Sequence, residues 1–266
     1  MLLFWHLTRL SFQRQLAYRT ANLAGLATNL FFGFLRASVL VALYGARTEV
    51  SGITLQGAIT YTGLTQSMIA YLSAFGWYDL MNSINRGDIA SDLLKPFNYF
   101  LFWLGQDCGR AIASLIMRGL LLMIAYALAF RISLPDRPEQ WLALAFSLVL
   151  AGLVSFSFRF LINLAAFWTP NALGFGRFAF GISALLTGFI MPLRFFPDWF
   201  NQLCHLTPFP SMINTVVEIY LGILKGPDLW SALLVQAGWF VGMTLLGQLV
   251  LRSIAEDFYL KLGRWI

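Results

Sequence analysis

Long apolar runs separated by short polar stretches dominate the chain, and their spacing predicts helices that cross a bilayer. A hydrocarbon core takes about 20 apolar residues per helix. The first run extends from about Ala21 to Tyr44 and carries one charge, Arg36. Polar residues 45–56 follow, and a second run from about Gly57 to Tyr78 has no charge. A charged connection, Asp79 to Asn98, leads to an aromatic stretch, Phe97 to Gly105, that reads as interfacial. The third span is expected from about Gly109 to Phe130, with Arg118 inside it. A polar loop holds Pro135 and Pro138, and the fourth span runs from Trp141 to at least Phe158. Thr169-Pro170-Asn171 punctuates a turn. The fifth span covers about Leu173 to Leu193 and the sixth about Leu229 to Leu251, before a short charged tail.

Two stretches break this pattern. Residues 1–20 are rich in Leu, Phe and Trp but interrupted by Arg9, Arg14 and Arg19, which reads as a helix lying in the interface. Residues 192–224 are apolar yet hold Pro192, Pro197, Pro208 and Pro210. Each proline lacks an N–H and disfavours a continuous helix. A broken backbone at membrane depth survives only inside protein or beside water. The segment therefore reads as a pair of short helices at the membrane edge or dipping into it. The expected fold class is all-α: one polytopic membrane domain over 1–266, with six transmembrane helices, an N-terminal interfacial helix and re-entrant outer helices before the last span.

Composition agrees. The chain is 59% hydrophobic and 11% charged, with a mean hydropathy of +0.71, whereas soluble domains carry about 25% charged residues. A net charge of +6 would suggest nucleic acid in a soluble protein. Here the basic residues are scattered between apolar runs, so topology and lipid headgroups account for them, and no nucleic-acid partner is expected. With the N-terminus inside, eleven Lys and Arg residues fall on the cytoplasmic side, Arg110, Arg159 and Arg177 among them, against five outside. Both termini are then cytoplasmic, in a cell's inner membrane, and the Pro-rich segment is external. Cys108 and Cys204 fall on opposite sides, so no disulfide is expected, and the N-terminus does not read as a cleaved signal peptide.

Catalytic signals are poor. The sequence has no Gly-x-x-x-x-Gly-Lys-Ser/Thr phosphate loop, no His-Glu-x-x-His and no Gly-x-Ser-x-Gly. His6 and His205 are isolated, and carboxylates cluster only after the second span. No catalytic, cofactor-binding or metal residues are assigned. The connection Asn85-Arg86-Gly87-Asp88-Ile89-Ala90-Ser91-Asp92-Leu93-Leu94-Lys95-Pro96 is the most informative polar segment. Asp88 can cap a short helix that Pro96 ends, and Asp92 and Lys95 can pair on one face. Ile89, Leu93 and Leu94 offer an apolar side. Such a helix is a docking surface, or else a solvated turn resting on headgroups. Arg36 and Arg118 sit at membrane depth and should face the bundle interior or snorkel, with Arg118 too deep to snorkel easily. Asn163, Asn171 and Gln236 suit interhelical hydrogen bonds, and Gly238-x-x-x-Gly242 suits close helix approach.

Three features coincide: a basic N-terminal helix before six spans, a Gly-Asp-Ile-x-x-x-Leu-Leu-Lys-Pro segment after the second span, and the Pro-broken segment Pro192 to Phe200 followed by Leu206-Thr207-Pro208-Phe209-Pro210. Together they resemble the permease subunits of type 2 ABC exporters, in the branch whose permease is a separate chain. The resemblance implies that residues 85–96 form the coupling helix on a separate ATPase, with Arg86, Gly87, Asp88, Ile89, Asp92, Leu93, Leu94, Lys95 and Pro96 at the docking site. It implies an outer gate of Pro192, Phe195, Phe196, Pro197, Trp199, Phe200, Pro208 and Pro210, and a path lined by spans 2 and 5 at a dimer interface. It further implies two cytosolic P-loop ATPase copies that bind the ATP and Mg, and a second permease chain, identical or a sister. The apolar spans favour export of a lipophilic or amphipathic solute. A secondary transporter or channel would need paired ionisable residues within spans, where only two lone arginines are expected. A membrane scaffold or assembly protein would need no path.

Overall fold

The computed structural model describes residues 2–92, 94–169 and 171–262. The chain is nearly all helical. Helix α1 (Leu2–Ala17) is followed after one residue by α2 (Arg19–Tyr44). A two-residue hairpin, β1 (Glu49–Val50) and β2 (Ile53–Thr54), pairs antiparallel with Val50 opposite Ile53. Its turn residues Ser51 and Gly52 both take positive φ, 50° and 78°, the backbone that matches strand twist in a two-residue loop. Helix α3 (Leu55–Leu72) starts where the Thr54 side chain accepts from the Gly57 N–H at 3.1 Å. Then come α4 (Asp79–Asn85), α5 (Asp88–Asp92), α6 (Tyr99–Ser114), a π-helical segment (Leu115–Leu120) and α7 (Leu121–Ala129). After α8 (Pro138–Leu164) and α9 (Ala172–Leu186), the chain makes short turns around α10 (Asp198–His205) and α11 (Asn214–Tyr220). It closes with α12 (Gly226–Leu262).

Among the described residues, four helical stretches are long and apolar enough to cross a membrane: Arg19–Tyr44, Tyr99–Ala129, Pro138–Phe167 and Gly226–Ile254. The expected second and fifth spans are shorter than their apolar runs. α3 stops at Leu72 because Ser73 adopts a left-handed φ of 50°. α9, a 15-residue apolar helix, stops at Leu186, and Gly188 turns the chain with φ 78°. The third span is longer than expected: Asn98 accepts from the Leu101 N–H at 3.0 Å and starts the helix at Tyr99. The aromatic stretch therefore belongs to the helix. The tail is helical too, since α12 continues to Leu262.

α3 is the centre of the bundle. Residues 57–68 are all buried, although they include Thr60, Thr62, Thr65, Gln66 and Ser67. Neighbouring helices of the same chain enclose it over this stretch, and only toward its ends, as at Gln56, Ile69 and Ala70, does it come nearer the surface. The close helix approach is not at Gly238-x-x-x-Gly242, where added Cβ atoms would meet nothing within 4 Å. It lies at Gly105-x-x-x-Gly109 of α6, against the α1 backbone. α1 keeps step with α6, Phe4 beside Gly105 and Thr8 beside Gly109, and the Thr8 hydroxyl donates to the Gly105 carbonyl at 3.0 Å. The π segment sits where the partner changes from α1 to α2.

Candidate coupling and gate sites

The connection after α3 is built in two pieces rather than as one helix over 85–96. α4 ends at Asn85, Gly87 turns the chain with φ 79°, a conformation that suits glycine, and α5 covers only Asp88–Asp92. Arg86 pairs with Asp88 at 3.0 Å, and Lys95 with Asp92 at 2.7 Å, the expected pairing. Ile89 points inward and joins Trp77, Leu80, Tyr99, Phe100 and Trp103 in one apolar cluster. Leu94 is 64% exposed, and Arg86, Gly87, Asp88, Lys95 and Pro96 are exposed with it. Leu93 lies outside the described residues. The described surface is thus the exposed Leu94, just past the short helix that Ile89 anchors, ringed by charge.

Beneath this connection is a polar clamp that the residue pattern did not reveal. Ser155, Arg159 and Asn163 lie four residues apart on one face of α8. The Ser155 hydroxyl donates to the Leu72 carbonyl at the end of α3, at 3.0 Å. The Arg159 guanidinium donates twice to the Asp107 carboxylate of α6, at 2.9 and 2.8 Å. Asn163 donates to the Trp77 carbonyl at 2.8 Å and accepts from the Met81 N–H at 2.9 Å, holding the start of α4. Arg110 completes it: Nε donates to Asp107 at 2.9 Å, and Nη1 and Nη2 donate to the Ala70 and Tyr71 carbonyls at 2.6 and 2.9 Å. These are last-turn carbonyls of α3, which lack helical partners and favour a cation. Arg110 and Arg159, counted in the sequence among the cytoplasmic-side charges, pair inside the bundle. Asp107, a carboxylate outside the connection after the second span, is 6% exposed.

The Pro-broken segment does form short helices, α10 and α11. The Tyr61 hydroxyl of α3 donates to the Gly188 carbonyl at 2.6 Å. The Asn214 N–H donates to the Thr187 carbonyl at 3.1 Å, and Asn214 Oδ1 accepts from the Leu193 N–H at 3.4 Å. Arg194 pairs with the buried Glu218 at 2.6 Å. Gln236 of α12 donates to the Ser211 carbonyl at 2.8 Å, and Gln140 donates to the last carbonyls of α11. Phe196 and Phe200 pack with centroids 4.8 Å apart, and Phe195 lies against Tyr44 of α2. Trp199 is 67% exposed, so these aromatics do not form a closed cluster. Pro192 and Pro210 are buried, Pro208 is half-buried and Pro197 is exposed. This latch sits at the hairpin end of α3, while the clamp holds its other end. Tyr61→Phe is expected to lower stability by about 1 kcal/mol by leaving the Gly188 carbonyl without its donor. A melting-temperature measurement beside wild type checks this.

The two deep arginines are used differently. Arg118, in the π segment, reaches back to the first turn of α2: Nε donates to Asn22 Oδ1 and Nη2 to the Ala21 carbonyl, both at 3.1 Å. It therefore reaches polar groups at a helix end despite its position in the sequence. Arg36 of α2 donates to the Phe189 and Ile190 carbonyls just past α9. Asn163 and Gln236 make the expected interhelical bonds, whereas Asn171 stands exposed at the start of α9 without a side-chain cap bond. Cys108 and Cys204 are both free.

A bundle with a short exposed helix at one end and a Pro-broken latch at the other can be compared with known families. The sequence model described as "ABC-2 family transporter protein" matches residues 29–261, from the first long helix into α12. The chain belongs to the ABC-2 transporter family. As an ABC-2 family chain it is a membrane-embedded permease component of an ABC transporter, and membership implies association with an ATP-binding partner. The match takes in α5, the clamp and the latch. No curated protein matches the chain significantly.

Proposed function

We propose that this ABC-2 family chain forms the translocation path of an exporter and takes its energy from separate ATPase subunits docked at α5. The carrying observation is the Ser155–Arg159–Asn163 face. It joins the start of α4 to the end of α3 and the middle of α6 through one row of side chains. A force on α5 passes through α4 to that row, and from there to α3, whose far end holds the latch through Tyr61. Displacement of a rigid helix between two discrete arrangements is a common way of carrying a signal across a protein. In this reading the bundle has six spans, α3 and α9 being the two shorter ones, with both termini cytoplasmic in an inner membrane. Residues 192–224 are the outer re-entrant segment, and two permease chains, identical or sister, assemble with two ATPases. The cargo is a lipophilic or amphipathic solute.

Leu94→Asp combined with Arg86→Asp is expected to abolish co-purification of the ATP-binding subunit while leaving the melting temperature of the chain within about a degree of wild type, since both side chains are exposed. Retained co-purification and unchanged transport would sink the docking role.

The Asp107–Arg110–Arg159 trio also favours a second reading, an ion-coupled carrier, because ionisable residues do pair inside the bundle. The trio suits a clamp better: every guanidinium nitrogen of Arg110 bonds either the carboxylate or the end of α3. Transport driven by a proton or sodium gradient without ATP would decide for the carrier.

A further inference from the structure

We infer that the groove between α2, α3 and residues 189–191 binds a single-tailed amphipathic anion, with Arg36 as the group that receives its charge. This deepens the permease reading and rests on it.

The groove has a volume of about 580 Å³ and is lined mostly by apolar side chains, with Phe32, Leu35, Val39 and Leu43 of α2 forming one wall and Thr28, Asn29, Thr62 and Gln66 the uncharged polar part. That volume suits a small amphiphile. Arg36 is the one charge in this lining. Its Nη2 donates to the Phe189 and Ile190 carbonyls, and its guanidinium lies 4.8 Å from the Phe189 ring centre. Its Nη1 is buried without a hydrogen-bond partner. Carbonyls and an aromatic face hold the guanidinium in place but leave its charge uncompensated. Among the described residues no carboxylate stands within ion-pair distance of it.

The chain does not carry the missing anion at this depth. Arg36 is eight residues from the end of α2, roughly 12 Å along the helix. Residues 19–44, 55–78 and 171–191, which build α2, α3 and α9 with their flanks, contain no Asp or Glu. A second copy docked here at matching depth would bring another Arg36 and no acid. An arginine without a counter-charge at membrane depth is costly, and such residues mark substrate paths. An acidic headgroup on an apolar tail supplies the anion and fills the groove at once.

The experiment uses the full chain in zwitterionic phosphatidylcholine nanodiscs and a palmitic acid analogue bearing a photoreactive diazirine. Its methyl ester, equal in shape but uncharged, is the comparison. We expect the acid to label residues 28–43 and the ester to label them about tenfold less, because a desolvated charge-assisted hydrogen bond is lost. Arg36→Gln should cut labelling by the acid about tenfold and leave the ester unchanged, and Arg36→Lys should keep most of the acid signal. Should Arg36→Gln fail to fold, Leu35→Trp, which fills the groove, should abolish labelling by both. Equal labelling by acid and ester, labelling elsewhere on the chain, or full labelling of Leu35→Trp overturns the proposal. So does a disulfide between Leu35→Cys copies, which would put a second chain in the groove. ATPase co-purification is measured on the same samples. Its persistence when anion labelling fails separates a wrong ligand from a wrong permease assignment.

Discussion

Asp107→Ala is expected to cost about 3–5 kcal/mol, enough to stop the folded chain from accumulating. Asp107 is the shared acid between Arg159, whose side chain is 1% exposed, and Arg110, whose side chain is 18% exposed. Without it Arg159 keeps only a long 3.3 Å bond to the Ser155 hydroxyl. An uncompensated buried charge costs far more than the net worth of the pair. Arg110 retains the Ala70 and Tyr71 carbonyls and is affected less. The matched double variant Asp107→Leu with Arg159→Met removes one charge of each sign and should recover most of the loss, because apolar replacement of a buried pair is often neutral. Size-exclusion profiles and melting temperatures of the three proteins decide it. A single variant as stable as wild type would remove the clamp from the account.

Gly109→Leu is expected to detach α1 from α6. A Cβ at Gly109 would stand 2.1 Å from the Thr8 carbonyl oxygen and 2.8 Å from the Phe12 nitrogen, both backbone atoms that cannot rotate away. Gly109→Ala should already cost about 1–3 kcal/mol as overpacking, and the larger side chain should force the helices apart. Arg9 and Arg14 then become sites for trypsin, and an unchanged digestion pattern would show that α1 is held some other way. Gly238→Leu is the control: its Cβ meets nothing, so the digestion pattern should stay as in wild type.

The long helices were legible because lipid-facing positions must be apolar on every exposed turn. α2, α8 and α12 follow the apolar runs to within a few residues at most of their ends. The ends of α3 and α9 were not legible. They depend on single left-handed or turned residues, Ser73 and Gly188, inside sequence that stays apolar beyond them. The internal role of Arg159 was not legible because charge order along the chain carries no record of its pairing with Asp107 across 52 residues, and that of Arg110 because its spacing from Asp107 says nothing of the α3 carbonyls it also holds. One signal was present: Ser155, Arg159 and Asn163 recur every fourth residue in an otherwise apolar helix, a polar stripe that must face protein. In residues 85–96 the Asp92–Lys95 pairing was legible, but not the extent of the helix, whose brevity follows from the backbone turn at Gly87.

The hydroxyls inside α3 have a mechanical consequence. Thr62, Thr65 and Ser67 donate to carbonyls three residues earlier in their own helix. The one sideways contact of these three is a long 3.4 Å approach of Thr62 to Tyr126. The firmer cross-links lie toward the two ends, at Tyr61 and at Ala70 to Leu72. Side-chain hydrogen bonds therefore hold α3 mainly toward its two tips. Between them packing does the holding: the Tyr126 ring fits against Gly63, and Gly119 lies against the Ser67 carbonyl.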